Sequence, residues 1–236
     1  MICPKCKYDN LTDSDTCLSC GVIFAKIKTN RIQIEERSFS EPSAGNFTRP
    51  SSQDRPIWSF FFRTLALLGL LVWSGNLIFS GIAGNNAGES VLHLVNLPFH
   101  EAGHVLFRPF GKFVTTLGGT LGQLLIPLIC GGSLLLKAHD YFGALVCAWW
   151  FGENFLDIAP YINDARAGVM PLLGGNTGQS SPYGFHDWEY LLTETGLLHY
   201  DHALAKLAHG AGAMLMIAAL VCMAWILYRQ FNKAGS

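Results

Sequence analysis

The chain has 236 residues, a formal net charge of −1 and half its residues hydrophobic, but its charges are unevenly shared. The first 56 residues hold 15 of the 33 charged side chains; the 180 that follow hold 18, about one in ten against about one in four for a soluble domain. This division argues against a water-soluble globule, a disordered chain or a fibrous repeat, and the charge balance gives nucleic-acid binding no support. It describes a small polar head on a membrane-embedded body.

In the head, Cys3, Cys6, Cys17 and Cys20 stand as C-x2-C-x10-C-x2-C. Each CxxC puts two thiolates on a tight turn, which Lys5, Lys7 and Gly21 suit, and two such turns close a tetrahedral Zn2+ site. Met1 leads straight into CPKC, with no basic region and no apolar run of a signal peptide, so the N-terminus is expected in the cytosol. A reducing compartment disfavours a pair of disulfides. A thioredoxin-like redox site needs a βαβ context that so short a segment lacks. Residues 1–30 are thus expected to form a module that depends on one structural Zn2+ for its fold. The stretch CPKCKYDN…CLSCGVIFAKI resembles the small zinc ribbon found at the start of many bacterial proteins. That resemblance implies a macromolecular partner, and with the charge balance as it is we expect an unidentified protein rather than nucleic acid. Residues 31–56, rich in Ser and Pro, read as a flexible linker that cannot build a core.

The body, residues 57–236, is apolar in segments. Residues 64–88 carry no formal charge, long enough to span a bilayer, and Arg49, Arg55 and Arg63 on their N-terminal side assign that side to the cytosol. Further apolar segments run over Val91 to Phe107, Phe113 to Leu136, from Tyr141 onward, and from Leu207 to Tyr228. Five complete spans would place Arg229 and Lys233 outside, against the positive-inside rule. One segment is therefore expected to be short or re-entrant, with glycine-rich Thr115 to Pro127 the candidate. The expected fold is an α-helical polytopic membrane protein of about four to six membrane segments. A bacterial inner (cytoplasmic) membrane is the expected location.

The chemistry lies in NLPFHEAGHVLF, where His100, Glu101 and His104 spell H-E-x-x-H. On a helix, positions i and i+4 share a face, so both imidazoles reach one Zn2+ while Glu101 is placed to deprotonate water. Two imidazoles and a base leave the coordination incomplete, so a third ligand comes from elsewhere in the chain. Two histidines and a glutamate inside an apolar segment are costly unless they serve a site or a wet cavity.

HEAGH within an apolar segment resembles the site-2 protease family of intramembrane zinc metalloproteases. That family pairs the HExxH helix with a later helix carrying N-x-x-P-x-x-x-L-D-G, whose Asp is the third ligand. ENFLDIAPYINDARAG, from Glu153 to Gly168, is the matching stretch here: Asn154 corresponds to the motif Asn and Asp164 to the ligand Asp. Asp157 stands where the motif has Pro, Asp164 lies two residues further from Asn154, and Ala165 replaces the Gly. The resemblance spans roughly Val91 to Gly168 and implies peptide-bond hydrolysis with Asp164 as third ligand.

From the residues alone, Asp157 and Asp164 lie seven apart and share a face of an unbroken helix, with Glu153 one turn back and Pro160 between them. Asp164 is expected as ligand and Asp157 as a partner holding a ligand imidazole. The rivals are His186 and Asp187 in GFHDWEYLL, a loop that folds back over the site. An anionic third ligand suits a dication already facing two neutral imidazoles, which favours Asp164 over His186. Bland readings suffice elsewhere. Cys130, Cys147 and Cys222 are small hydrophobes, and His93, His139, His199, His202 and His209 are packing or interface residues. Gly118, Gly119, Gly122 and Gln123 read as close helix packing, and Trp149, Trp150 and Phe151 as an interfacial cluster.

These expectations describe a zinc metallopeptidase with one catalytic and one structural Zn2+, acting on membrane protein substrates within the lipid bilayer. The alternative from another class is a non-catalytic membrane scaffold or sensor acting through its ribbon. Glu101 discriminates between them, since a scaffold has no need of a base between two ligands. A membrane hydrolase of non-peptide amides is a third.

Overall fold

A computed structural model of the chain describes residues 2–3, 5–10, 15–24 and 57–234. The linker expected over 31–56 lies outside the described residues. The chain divides into two compact units between Asp54 and Arg55, and each is considered by itself.

The N-terminal unit contains two near-identical turns. In the first, the Lys7 amide donates to the Cys3 carbonyl (2.9 Å) and the Cys3 amide to the Tyr8 carbonyl (2.9 Å). In the second, Gly21 donates to Cys17 (2.8 Å) and Cys17 to Val22 (2.9 Å). Each turn ends in a left-handed residue, Lys7 at φ 59° and Gly21 at φ 70°. Isolated antiparallel bridges, Ile2 with Asp9 and Thr16 with Ile23, flank the turns.

The second unit is helical: α1 (Ile57–Phe79), the short α2 (Gly81–Gly84), α3 (Val91–Phe107), α4 (Lys112–Leu136), α5 (Tyr141–Asn163), α6 (Asp187–Glu194) and α7 (Asp201–Ala234). There are no strands among the described residues. Three helical stretches are long and apolar enough to cross a membrane: Trp58–Phe79, Lys112–Leu136 and Leu198–Asn232. That is fewer than the four to six segments expected from sequence. The reason is polar content. Helix α3 has only 17 residues and carries His93, Asn96, His100, Glu101 and His104, while α5 buries Glu153, Asn154 and Asp157. Both are too short or too polar to count by hydropathy.

Helix α5 is central, packed against α7 on one side and α4 on another, with α1 lying on α7. Its crossing with α7 is close because both backbones are bare there. A Cβ on Gly152 would sit 2.9 Å from the Gly212 carbonyl oxygen, and one on Gly212 would collide with Leu156. Leu77, Trp149, Leu156, Met216 and Met223 fill the core around it, and the Trp149 indole donates to Ser74 Oγ at 2.7 Å. Outward, Leu68 and Val72 of α1 and Leu207, Met214 and Val221 of α7 are exposed, an apolar belt of the kind that marks a membrane or partner surface.

Helices α3 and α4 form a hairpin through a 3-10 turn at Arg108–Phe110 and Gly111, whose φ of 90° suits glycine alone. The re-entrant loop expected over Thr115 to Pro127 is instead an unbroken stretch of α4, with Pro127 inside the helix. Its glycines bring backbones together. A Cβ on Gly103 of α3 would overlap the Gly118 carbonyl, and one on Gly122 would overlap the Phe99 carbonyl. Small residues are how helices approach closely where lipid gives no hydrophobic drive.

Candidate metal centres

The four head thiols are free and each contributes one sulfur to a group lying within 4.8 Å. Cys3 Sγ is 3.7 Å from Cys20 Sγ, and Cys6 Sγ is 3.6 Å from Cys17 Sγ. A disulfide would need about 2.05 Å. A tetrahedral thiolate site with bonds of about 2.3 Å separates its sulfurs by about 3.8 Å. The group is therefore spaced to hold a metal ion. Burial pushes the Cys17 thiol up, but the amides of Cys20 and Ser19 with the Asn10 side chain outweigh it and hold the thiol at about 6. The thiolate is the form that ligates.

In the helical unit, His100 Nε2 and His104 Nε2 lie 3.0 and 3.2 Å from the same oxygen, Asp187 Oδ2, and the three form a second group within 4.8 Å. The two histidines come from one face of α3. Asp187 arrives from the first turn of α6, 87 residues away, where it is buried. The opposite ring nitrogens are already committed. His100 Nδ1 faces Gln123 Oε1 at 2.8 Å, and His104 Nδ1 faces the Thr115 carbonyl at 2.8 Å. Gln123 cannot be turned round, because its amide nitrogen reaches Asn154 Oδ1 (3.1 Å) and Asp157 Oδ2 (3.4 Å).

Both acceptors take a proton from Nδ1, so in the neutral form each imidazole would turn an Nε2 lone pair toward Asp187, whereas in the protonated form Nε2 donates to that carboxylate. Two imidazole nitrogens and a carboxylate oxygen thus face one point, a donor set that could hold a metal ion. The spacing also fits, since a tetrahedral ion with N and O bonds of about 2.0–2.1 Å sets its ligands about 3.3 Å apart. Room for it is made by Gly119, where a Cβ would stand 2.5 Å from both Nε2 atoms. Close packing is therefore only part of what this glycine does.

The third position departs from the expectation. Asp164 is buried at the end of α5, but its carboxylate accepts the amides of Val169 (3.1 Å) and Met170 (2.9 Å) and lies 3.5 Å from His186 Nε2. It holds the loop after α5 and is not brought to the His100–His104 pair. His186 does not join them either. It is fully buried, caps α6 by accepting the Glu189 amide on Nδ1 (3.2 Å), and stacks on Tyr161 with centroids 4.2 Å apart. Burial holds its imidazole below the ordinary histidine range, in the neutral form. Asp187, next in sequence, is the residue delivered. Burial raises its carboxyl, but His100 and His104 outweigh that and hold it below the usual carboxylate range.

Asp157 does not touch a ligand imidazole directly. It accepts from Asn96 Nδ2 at 3.1 Å, pairs with His93 Nδ1 at 2.8 Å, and reaches His100 only through Gln123. His93, expected to be a packing residue, is thus part of the polar network. Asn96 also donates to Glu153 Oε2 (3.1 Å) and accepts the Trp150 indole N–H (2.8 Å). Sequence reasoning missed Asn96, although it lies four residues before His100 and hence on the same helix face. It also missed Tyr161, whose hydroxyl accepts the Asp187 amide at 3.3 Å; no local signal marks that residue.

The metal cluster lies in the wall of a cavity of about 740 Å³ that is also lined by Glu101, Tyr161 and Lys112. The Glu101 carboxylate is exposed to it and makes no hydrogen bond to any described residue. His100, His104 and Asp187, which could together hold a metal ion, therefore share one cavity with the Glu101 carboxylate.

The chain matches no protein-family model, no curated protein and no solved structure.

Proposed function

We propose that this chain is an intramembrane zinc metalloprotease, with catalytic Zn2+ held by His100, His104 and Asp187 and a structural Zn2+ held by Cys3, Cys6, Cys17 and Cys20. The observation that carries the reading is the convergence of His100 Nε2, His104 Nε2 and Asp187 Oδ2 beside Glu101 in one cavity. The His100–His104 helix keeps its likeness to the site-2 protease family, while the third ligand is drawn from α6 rather than from Asp164. The apolar belt and the three long apolar helices support a location in a lipid bilayer, and Arg55 and Arg63 before the first long apolar helix are the reason we propose that the head lies on the cytosolic side of a bacterial inner membrane.

When bound, zinc supplies Lewis-acid polarisation of the scissile carbonyl and makes a nearby water more acidic. His100 and His104 hold their Nδ1 protons on Gln123 and Thr115, which keeps both Nε2 atoms available as ligands. Asp187 supplies the anionic ligand. The Glu101 carboxylate takes the proton of the attacking water and returns it to the leaving amine. The Tyr161 hydroxyl accepts the Asp187 amide and lines the cavity, so its own proton is free to donate to a developing oxyanion. A membrane-spanning substrate must unwind locally to enter, since a helix hides its carbonyls in intrachain hydrogen bonds.

The test compares new peptide N-termini in host membranes that contain the wild-type protein or the Glu101→Gln variant. Wild type is expected to generate cleavage sites that the variant loses, by about 10²–10⁴-fold in rate, while both bind two zinc ions per chain. Identical cleavage by the two would exclude Glu101 as the base.

A further inference from the structure

Lys112 is a cation that the proposed reaction leaves without a role. It lines the same cavity as the metal cluster, and its ammonium stands 4.4 Å from the Tyr190 ring centroid and 5.7 Å from that of Tyr183. Both distances are within cation–π range, and such contacts hold an ammonium in place without neutralising it. No carboxylate among the described residues pairs with it.

The cage around Lys112 is ordered by its neighbours. Tyr190 is buried, and the Tyr183 hydroxyl is tied to Glu194 Oε1 at 3.1 Å. Gly184, at φ 89°, keeps the space open, since a Cβ there would stand 3.1 Å from Lys112 Nζ. Two helices independently fix where the ammonium sits. On α4, Lys112 lies three residues before Thr115, whose carbonyl holds His104. On α6, Tyr190 lies three residues after Asp187, which meets His100 and His104. Residues three apart on a helix are about 5–6 Å apart and face the same way. Lys112 thus shares α4 with the acceptor of His104, Tyr190 shares α6 with Asp187, and the ammonium lines the same cavity as the candidate ligands.

We propose that Lys112, caged by Tyr183 and Tyr190, is an anion subsite for a carboxylate of the bound peptide. The ammonium and the candidate ligands line one cavity, so the carboxylate is one that lies near the scissile bond. It belongs either to an acidic side chain or to a chain terminus. This subsite rests on the metalloprotease reading, which supplies the reacting centre from which it is measured.

The experiment uses the full-length, zinc-loaded protein in phosphatidylcholine nanodiscs and calorimetric titration with matched hydroxamates, whose hydroxamate chelates the metal. One pair is acetyl-Ala-Leu-hydroxamate and its succinyl analogue, which places a carboxylate on the N-terminal side. The other is a succinyl hydroxamate extended by Leu-Gly, ending in a carboxamide or a free carboxylate, which places it on the C-terminal side. The carboxylate member of one pair should bind about tenfold tighter than its neutral partner. Lys112→Gln should abolish that preference while keeping both zinc ions, and Lys112→Arg should retain most of it. Equal affinity within both pairs, or a preference that survives Lys112→Gln, would overturn the subsite. Loss of the preference in phosphatidylglycerol nanodiscs would also overturn it, by assigning Lys112 to a lipid phosphate. Failure of the metal reading looks different: the neutral hydroxamates would then bind equally well before and after zinc is stripped.

Discussion

The two candidate metal centres differ in how far apart their ligands lie along the chain. In the head, all four sulfurs come from within 18 consecutive residues, on two turns with the same hydrogen bonds and the same left-handed exit. In the body, two ligands share one helix face and the third arrives from 87 residues away. The head site is a property of local backbone geometry. The body site exists only when α3, α4, α5 and α6 are packed, because α4 supplies Gln123, Thr115 and Gly119, and the loop after α5 delivers α6. Local sites tolerate change elsewhere in the chain, and assembled sites do not.

That contrast can be broken most decisively by removing ligands. Asp187→Ala should empty the body site as completely as His104→Ala and abolish hydrolysis, leaving one zinc per chain by elemental analysis. Cys17→Ser should do the converse, unfolding the head and leaving the body's zinc and activity in place. Loss of both ions on either substitution would show that the two centres are not independent.

A smaller effect is expected one step out from the metal. Gln123→Leu removes the acceptor of the His100 Nδ1 proton and should weaken zinc binding about 10–100-fold in competition with a chelator. Gly119→Ala should lower zinc affinity in the same assay without loss of helicity, because its Cβ intrudes on both imidazoles rather than on the helix itself. An unchanged affinity in both variants would mean the cluster does not hold zinc through Nε2.

The mildest outcome separates Asp164 from Asp187. Asp164→Ala should retain zinc when the metal is saturating, since its carboxylate binds the amides of Val169 and Met170. The cost should appear as a loss of about 1–3 kcal/mol in unfolding stability, from the two amide hydrogen bonds that anchor the loop after α5. An empty body site in Asp164→Ala at saturating zinc would restore Asp164 as the third ligand.

The residues explain why some of this was legible in the sequence. Cys3, Cys6, Cys17 and Cys20 announce their site by spacing, because a CxxC turn contains most of its own geometry. His100, Glu101 and His104 do so too, since helical periodicity alone puts i and i+4 on one face. Spacing and the family-like motif favour Asp164 as ligand and Asp157 as a supporting partner, and both are acidic residues in an apolar segment. Their distinction depends on what else each carboxylate meets, and local sequence does not specify that. Asp164 is satisfied by amides five and six residues onward, and Asp157 by His93 and Asn96 from another helix.

The sequence by itself determined the polar head, the apolar helices, and the placing of His100, Glu101 and His104 on neighbouring positions of one helix, because each follows from spacing or hydropathy over a few turns. Only the tertiary structure brought Asp187 to the His100–His104 pair, set Gln123 and Thr115 behind the two rings, and made the space beneath Gly119 and the cavity that Lys112 also lines. These depend on which backbones approach closely enough to meet, and glycine positions and buried hydrogen bonds set that approach across the whole helical unit at once.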